Sequence, residues 1–156
     1  MGQCGDMLVN LTHLPDEPKP EGIRIKRVMA KDREAVLEFI RQRWAGWCGE
    51  AEYAMLQDVS RCFIATENGK ILGFACYDAS AKDYFGPIGV DEAARGKKIG
   101  QALLLRCLHA MREFGYGYAV IGWVGDAAPF YEKTVGAFFI PGGEPENTVY
   151  SNLLAL

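Results

Sequence analysis

The chain has 156 residues, 49% of them hydrophobic and 24% charged, with a formal net charge of −3. A single domain of that size buries roughly two-thirds of its unfolded surface, so its core requires neither disulfides nor a metal. The acidic balance, with a pI near 5.4, argues against broad nucleic-acid binding, and no apolar run approaches the roughly 18 residues of a membrane span.

Met7 to Thr12 alternates as a short strand, and the three prolines between Pro15 and Gly22 break regular structure after it. Residues 1–21 therefore read as an N-terminal arm and loop, and residues 22–156 as the domain proper. Ile23 to Val28 resumes strand alternation. Asp32 is placed to cap a helix carrying Val36, Leu37, Phe39, Ile40 and Trp44, with Gly46 and Gly49 marking its end. A second short helix is expected over Glu50 to Asp58. Arg61–Thr66 and Ile71–Tyr77 read as strands joined at Asn68-Gly69, a strong two-residue hairpin signal.

Tyr84 to Val90 is a further strand, imperfectly paired at Pro87, which has no amide to donate. Ile99, Leu103, Cys107, Ala110, Met111 and Phe114 form a helical stripe that Gly115 ends. Tyr118 to Val124 is a near-continuous apolar run, the pattern of a strand covered on both faces. A short helix over Pro129 to Val135 and two late strands, Ala137–Ile140 and Thr148–Leu154, complete the order. The class is α/β: a mixed, mostly antiparallel central sheet flanked by helices, with a parallel step between the strands ending at Val90 and Val124.

The five cysteines, Cys4, Cys48, Cys62, Cys76 and Cys107, are scattered and form no Cys-x-x-Cys pair. They read as reduced, mostly buried thiols, without a metal site or disulfide framework. The N-terminus lacks the basic and apolar regions of a signal peptide, so a cytoplasmic protein without a membrane partner is expected.

Most of the chemical information lies between Gly89 and Leu103. A strand ends there, a short loop turns, and a long helix begins near Lys98. At a helix start several amides point outward unpaired and the dipole favours an anion. Gly96 and Gly100 permit close backbone approach, and Arg95, Lys97 and Lys98 add positive charge. This arrangement is a phosphate cradle, although it is neither a P-loop nor a dinucleotide Gly-x-Gly-x-x-Gly. A basic, solvated helix start would look the same.

Arg95-Gly-Lys-Lys-Ile-Gly100 resembles the Arg/Gln-x-x-Gly-x-Gly/Ala signature of the GCN5-related N-acetyltransferases (GNAT), and Phe130-Tyr-Glu-Lys-Thr-Val-Gly136 resembles their second motif. The element order matches as well, over roughly residues 23–154. Three departures mark a divergent, bacterial-type member. Lys98 stands at a loop glycine, Gly136 comes one residue late with Ala137 after it, and the asparagine before the last helix is absent, with Asp126 near its place.

The resemblance implies acetyl-CoA as cosubstrate, no metal, and transfer of its acetyl group to a primary amine of a small molecule by direct attack in a ternary complex. Ile88, Gly89, Val90, Arg95, Gly96, Lys97, Lys98, Ile99, Gly100, Phe130 and Lys133 would bind the cofactor. Tyr131 aligns with the general acid. Tyrosine at about 10 and a thiol at about 8.5 make full proton transfer uphill by roughly 2 kcal/mol. The strand before the loop has no carboxylate. Asp78 and Asp83 flank it and could act through water, Asp83 being the candidate base, and both also read as ordinary turn residues. Neutralising an alkylammonium at pH 7 costs about 4.6 kcal/mol. Trp44 to Tyr53, with Glu50 and Glu52, is the expected acceptor region. A non-catalytic acyl-CoA-binding or sensing domain, and an acyltransferase acting on a protein amine, are the competing readings. Pairing of the arm and late strands between chains would make a homodimer.

Overall fold

The computed structural model describes residues 2–155. Its elements are β1 (Gly5–Asn10), β2 (Arg24–Arg27), α1 (Arg33–Trp44), α2 (Cys48–Met55), β3 (Cys62–Glu67), β4 (Lys70–Tyr77), β5 (Tyr84–Val90), α3 (Ile99–Phe114), β6 (Tyr118–Val124), α4 (Ala128–Val135) and β7 (Phe138–Phe139). The strands form one sheet in the order β2-β3-β4-β5-β6-β1-β7, antiparallel except for β5 beside β6.

Alternation along the strands divides the core between the two faces. Phe63 and Ala65 of β3 pack with Leu103, Leu104 and Leu108 of α3, whereas Cys62 and Ile64 pack with Val36 and Ile40 of α1. The β3–β4 turn has the geometry its residues favour, with φ of 52° at Asn68 and 80° at Gly69. Gly115, at φ 119°, ends α3 and donates its amide to Arg112 O at 3.0 Å. Asp32 occupies the N-cap position of α1 but makes no capping bond; its carboxylate accepts from Lys26 Nζ at 2.6 Å instead.

Three expectations are corrected. Part of the expected arm belongs to the sheet: β1 lies inside it, paired with β6 on one side and β7 on the other, and Met7, Val9 and Leu11 are fully buried. Thr148–Leu154 is not a strand. The Thr148 hydroxyl accepts the Tyr150 amide and nucleates a 3-10 turn over Val149–Asn152, leaving the sheet position beside β6 to β1. The second helix starts at Cys48 and ends at Met55, so Gly49 lies within it. β1 thus has partners within the chain, β6 along one edge and β7 at Met7 and Leu8 on the other.

The parallel pair is brief. Tyr84 faces Val120 and Phe85 faces Ile121, and no further β5–β6 partners follow. Pro87 lacks an amide, and from it to Val90 the edge of β5 facing β6 is open. That opening positions the site.

Candidate active site

The loop from β5 into α3 passes through two left-handed residues, Gly96 at φ 87° and Lys98 at φ 62°. Lysine at such a position costs about 1–2 kcal/mol, so the helix start is strained and keeps the shape a glycine would normally give it. The first α-helical bond of α3 runs from Ala102 N to Lys98 O at 3.1 Å. The amides of Ile99, Gly100 and Gln101 precede it and point out of the helix end, where the dipole is positive. A Cβ on Gly100 would stand 3.6 Å from the Phe130 ring, an ordinary contact distance, so α4 packs closely against the helix start. Outward amides, open space at Gly96 and the charges of Arg95 and Lys98 together fit a diphosphate.

This loop forms one end of a cleft of about 680 Å3, walled by Trp44, Ile88, Val90 and Phe130. Asp91 N donates to Leu72 O at 2.8 Å, so alternation along β5 directs the Val90 and Ile88 amides to the opposite, open edge. Gly89 contributes differently. Its carbonyl side faces β4, and the Trp44 ring lies 2.6 Å from where a Cβ would stand. The missing side chain lets the indole lie flat on the strand, against Phe74 and Trp47.

A second cleft, of about 920 Å3, opens between the diverging strands and shares Trp47, Ile88, Ala127 and Tyr131 with the first. Tyr131 therefore stands where the two meet. Its ring packs edge-on against Phe85 and Phe130, burial lifts its phenol well above the usual value, and none of the described residues hydrogen-bonds its hydroxyl.

Of the expected cofactor residues, Ile88, Gly89, Val90, Arg95, Gly96, Lys98, Ile99, Gly100 and Phe130 line the first cleft. Lys97 and Lys133 do not. Lys97 Nζ lies 3.9 Å from Glu67 Oε1, and Lys133 is exposed on α4. Asp83 is also not brought to the site, because it sits in the turn before β5, at the end of the strand opposite Val90, and lines neither cleft. Burial, and then the charge of Asp78, raise its carboxyl to about 6, and its Oδ1 is buried without a hydrogen-bond partner among the described residues.

A carboxyl held above its unfolded value stabilises the fold while protonated, and that stability is lost as the pH rises from about 4 through 6. Asparagine cannot ionise and tolerates the left-handed φ of 68°. Asp83→Asn is therefore expected to raise the melting temperature at pH 7, to leave it unchanged at pH 4, and to preserve catalytic turnover. Melting curves at both pH values and a turnover assay check this.

Several residues of the second cleft carried little sequence signal. Tyr150 lays its phenol on Gly122, where any Cβ would overlap it, and Trp123 stacks beside it at 5.2 Å. Asp6, from β1, accepts from Trp123 N at 2.9 Å and from the Tyr84 hydroxyl at 2.8 Å. An acid within an apolar strand was the only mark that distinguished it.

Residues 58–134, from the residues preceding β3 into α4, match the family model for the acetyltransferase (GNAT) domain. The chain belongs to the GNAT family. Solved structures share this GNAT fold at low identity. The GCN5-related glucosamine N-acetyltransferase region of a fungal multi-domain GH3 β-N-acetylglucosaminidase aligns at TM-score 0.69 and 15% identity, over 85% of this chain and 19% of that one. A GCN5-related N-acetyltransferase from Sphaerobacter thermophilus aligns at 0.66 and 21%, over 88% and 48%. One from Kribbella flavida aligns at 0.53 and 15%, over 96% and 52%. This GNAT chain thus spans about half the length of the bacterial structures and a fifth of the fungal one. Among curated proteins, none matches it.

Proposed function

We propose that the chain is an N-acetyltransferase that uses acetyl-CoA to acetylate a primary amine of a small molecule by direct attack in a ternary complex. The observation that carries this reading is the meeting of two clefts at Tyr131, one of them ending at an anion-binding helix start. The amides of Ile99, Gly100 and Gln101, with Arg95 and Lys98, hold the pyrophosphate. The open amides of Ile88 and Val90 hold the extended arm and polarise the thioester carbonyl. Acetyl-CoA supplies an acyl group activated by a good thiol leaving group.

Tyr131 donates a hydrogen bond to the sulfur. Burial raises its phenol, which increases the gap above the roughly 8.5 of a thiol and leaves the proton on Tyr131. Its role is to stabilise negative charge rather than to give up a proton. The acceptor loses its ammonium proton to water, since no carboxylate of β5 is present to take it. The second proton, released as the C–N bond forms and the C–S bond breaks, passes through water to the departing thiolate. The reading needs no metal, nucleic acid or membrane, and a cytoplasmic setting suits it. Among the described residues no helix is long and apolar enough to cross a membrane.

The test combines calorimetry with acetyl-CoA and thiol release over a panel of small amines. Binding together with turnover on at least one amine supports the proposal. Binding without turnover on any small amine shifts the assignment to an acyl-CoA sensor or a protein-directed enzyme. No binding removes all three readings.

A further inference from the structure

The second cleft has an unusual charge balance. Among the described residues Glu50, on the first turn of α2, is the only Asp, Glu, Lys, Arg or His that lines it. Glu50 Oε2 accepts a hydrogen bond from the Ser80 hydroxyl, while Oε1 has no hydrogen-bond or ion-pair partner among the described residues. The neighbouring acid, Glu52, is spent elsewhere, paired with Arg33 at 3.0 Å outside the cleft.

The remaining walls are apolar or aromatic, with Trp47, Phe85, Trp123, Tyr150 and Leu153 prominent. Trp123 and Leu153 are 41% and 53% exposed, so apolar surface at the rim stands uncovered. Burial pushes the Tyr150 phenol up to about 12, against an opposing contribution from Ser80, so this wall stays neutral at any physiological pH. One unpaired carboxylate in an apolar cleft calls for a single cation on an apolar body.

Resting on the acetyltransfer reading above, we propose that the acceptor is a primary monoamine carried on an aromatic or branched apolar body, with Glu50 as the counter-ion of its ammonium. Ser80 fixes the Glu50 carboxylate, and the aromatic walls cover the body and the face of the cation. A polyamine leaves its second charge unpaired here. An amino acid brings a carboxylate that no cation of the cleft meets, and an amino sugar loses hydration of its hydroxyls without replacement hydrogen bonds. Glu50 is a recognition residue, the counter-ion of the ammonium, and takes no proton in this scheme.

The experiment measures thiol release on 2-phenylethylamine, spermidine, glucosamine and L-phenylalanine, with calorimetry of acetyl-CoA alongside. The expected kcat/KM for 2-phenylethylamine is at least tenfold above each of the others. Glu50→Gln is expected to raise its KM about tenfold or more while leaving acetyl-CoA affinity unchanged, which also shows that the variant is folded. In the wild-type protein, phenethyltrimethylammonium should compete with the amine, and its uncharged carbon isostere should not. Spermidine, glucosamine or L-phenylalanine as the preferred acceptor, or equal inhibition by charged and neutral analogues, overturns the proposed class while acetyltransfer stands. No acetyl-CoA binding and no turnover on any amine overturns both.

Discussion

Asp6→Ala is expected to destabilise the fold by about 4 kcal/mol, a large share of the stability of a domain this size. Asp6 is 3% exposed, and its two carboxylate oxygens each hold a separate strand. Oδ1 takes the backbone amide of Trp123, which sits at φ 48°, a strained conformation for a tryptophan. Oδ2 takes the Tyr84 hydroxyl across the β5–β6 opening. Truncation leaves a partly buried main-chain donor and a partly buried phenol without their acceptor, at about 1–3 kcal/mol each, and removes what holds the irregular backbone of β6 in place. Asp6→Asn keeps one acceptor for Trp123 N and should fall between wild type and alanine. Urea denaturation of the three proteins measures the series; a loss below about 1 kcal/mol for alanine would show that β6 keeps its shape without the carboxylate. Since Tyr84 contacts Tyr150 and Trp123 lines the second cleft, a folded Asp6→Asn protein should also show a raised acceptor KM before its acetyl-CoA affinity changes.

Tyr131→Phe is expected to lower kcat by about ten- to a hundredfold, the worth of one hydrogen bond to a developing charge. Acetyl-CoA affinity and stability should hold, because phenylalanine keeps the edge-on packing against Phe85 and Phe130 and the lost hydroxyl has no partner among the described residues. Single-turnover kinetics beside calorimetry separates the two effects, and an unaltered kcat would remove Tyr131 from the chemistry. The raised phenol also carries a pH consequence. Tyr131 keeps its proton across the neutral and mildly alkaline range, so any alkaline loss of activity below about pH 10 must come from another group.

Local signals in the chain were read correctly where the structure they specify is also local. Asn68-Gly69 forms the tight turn its residues favour, Gly115 stops α3, and Pro87 marks where β5 loses its neighbour. The Arg95–Gly100 loop is at a helix start because its glycines and basic residues precede a strong apolar stripe. What long-range pairing decides could not be read in the same way. The alternation of residues 5–10 says strand but not that β6 and β7 are its partners. Thr148–Leu154 has strand-like composition, yet the Thr148 hydroxyl captures a nearby amide first. Asp83 neighbours β5 in sequence but lies at the wrong end of it. Glu50 and Glu52 look alike on paper. Two residues apart on a helix, they point to different sides, so only one reaches the cleft while the other meets Arg33.

The position of β1 carries a consequence for how the molecule is made. β1 is synthesised well before its partner and is installed late, because residues 5–10 need residues 118–124 beside them. During synthesis Met7, Val9 and Leu11 have no surface to cover them until β6 has left the ribosome, and the cell must keep a sticky, strand-prone segment from meeting other chains. Closing so distant a pair is also slow, so this step is expected to limit the rate of folding. The same event sets Asp6 against Trp123, which makes the acceptor cleft among the last parts of the protein to take shape.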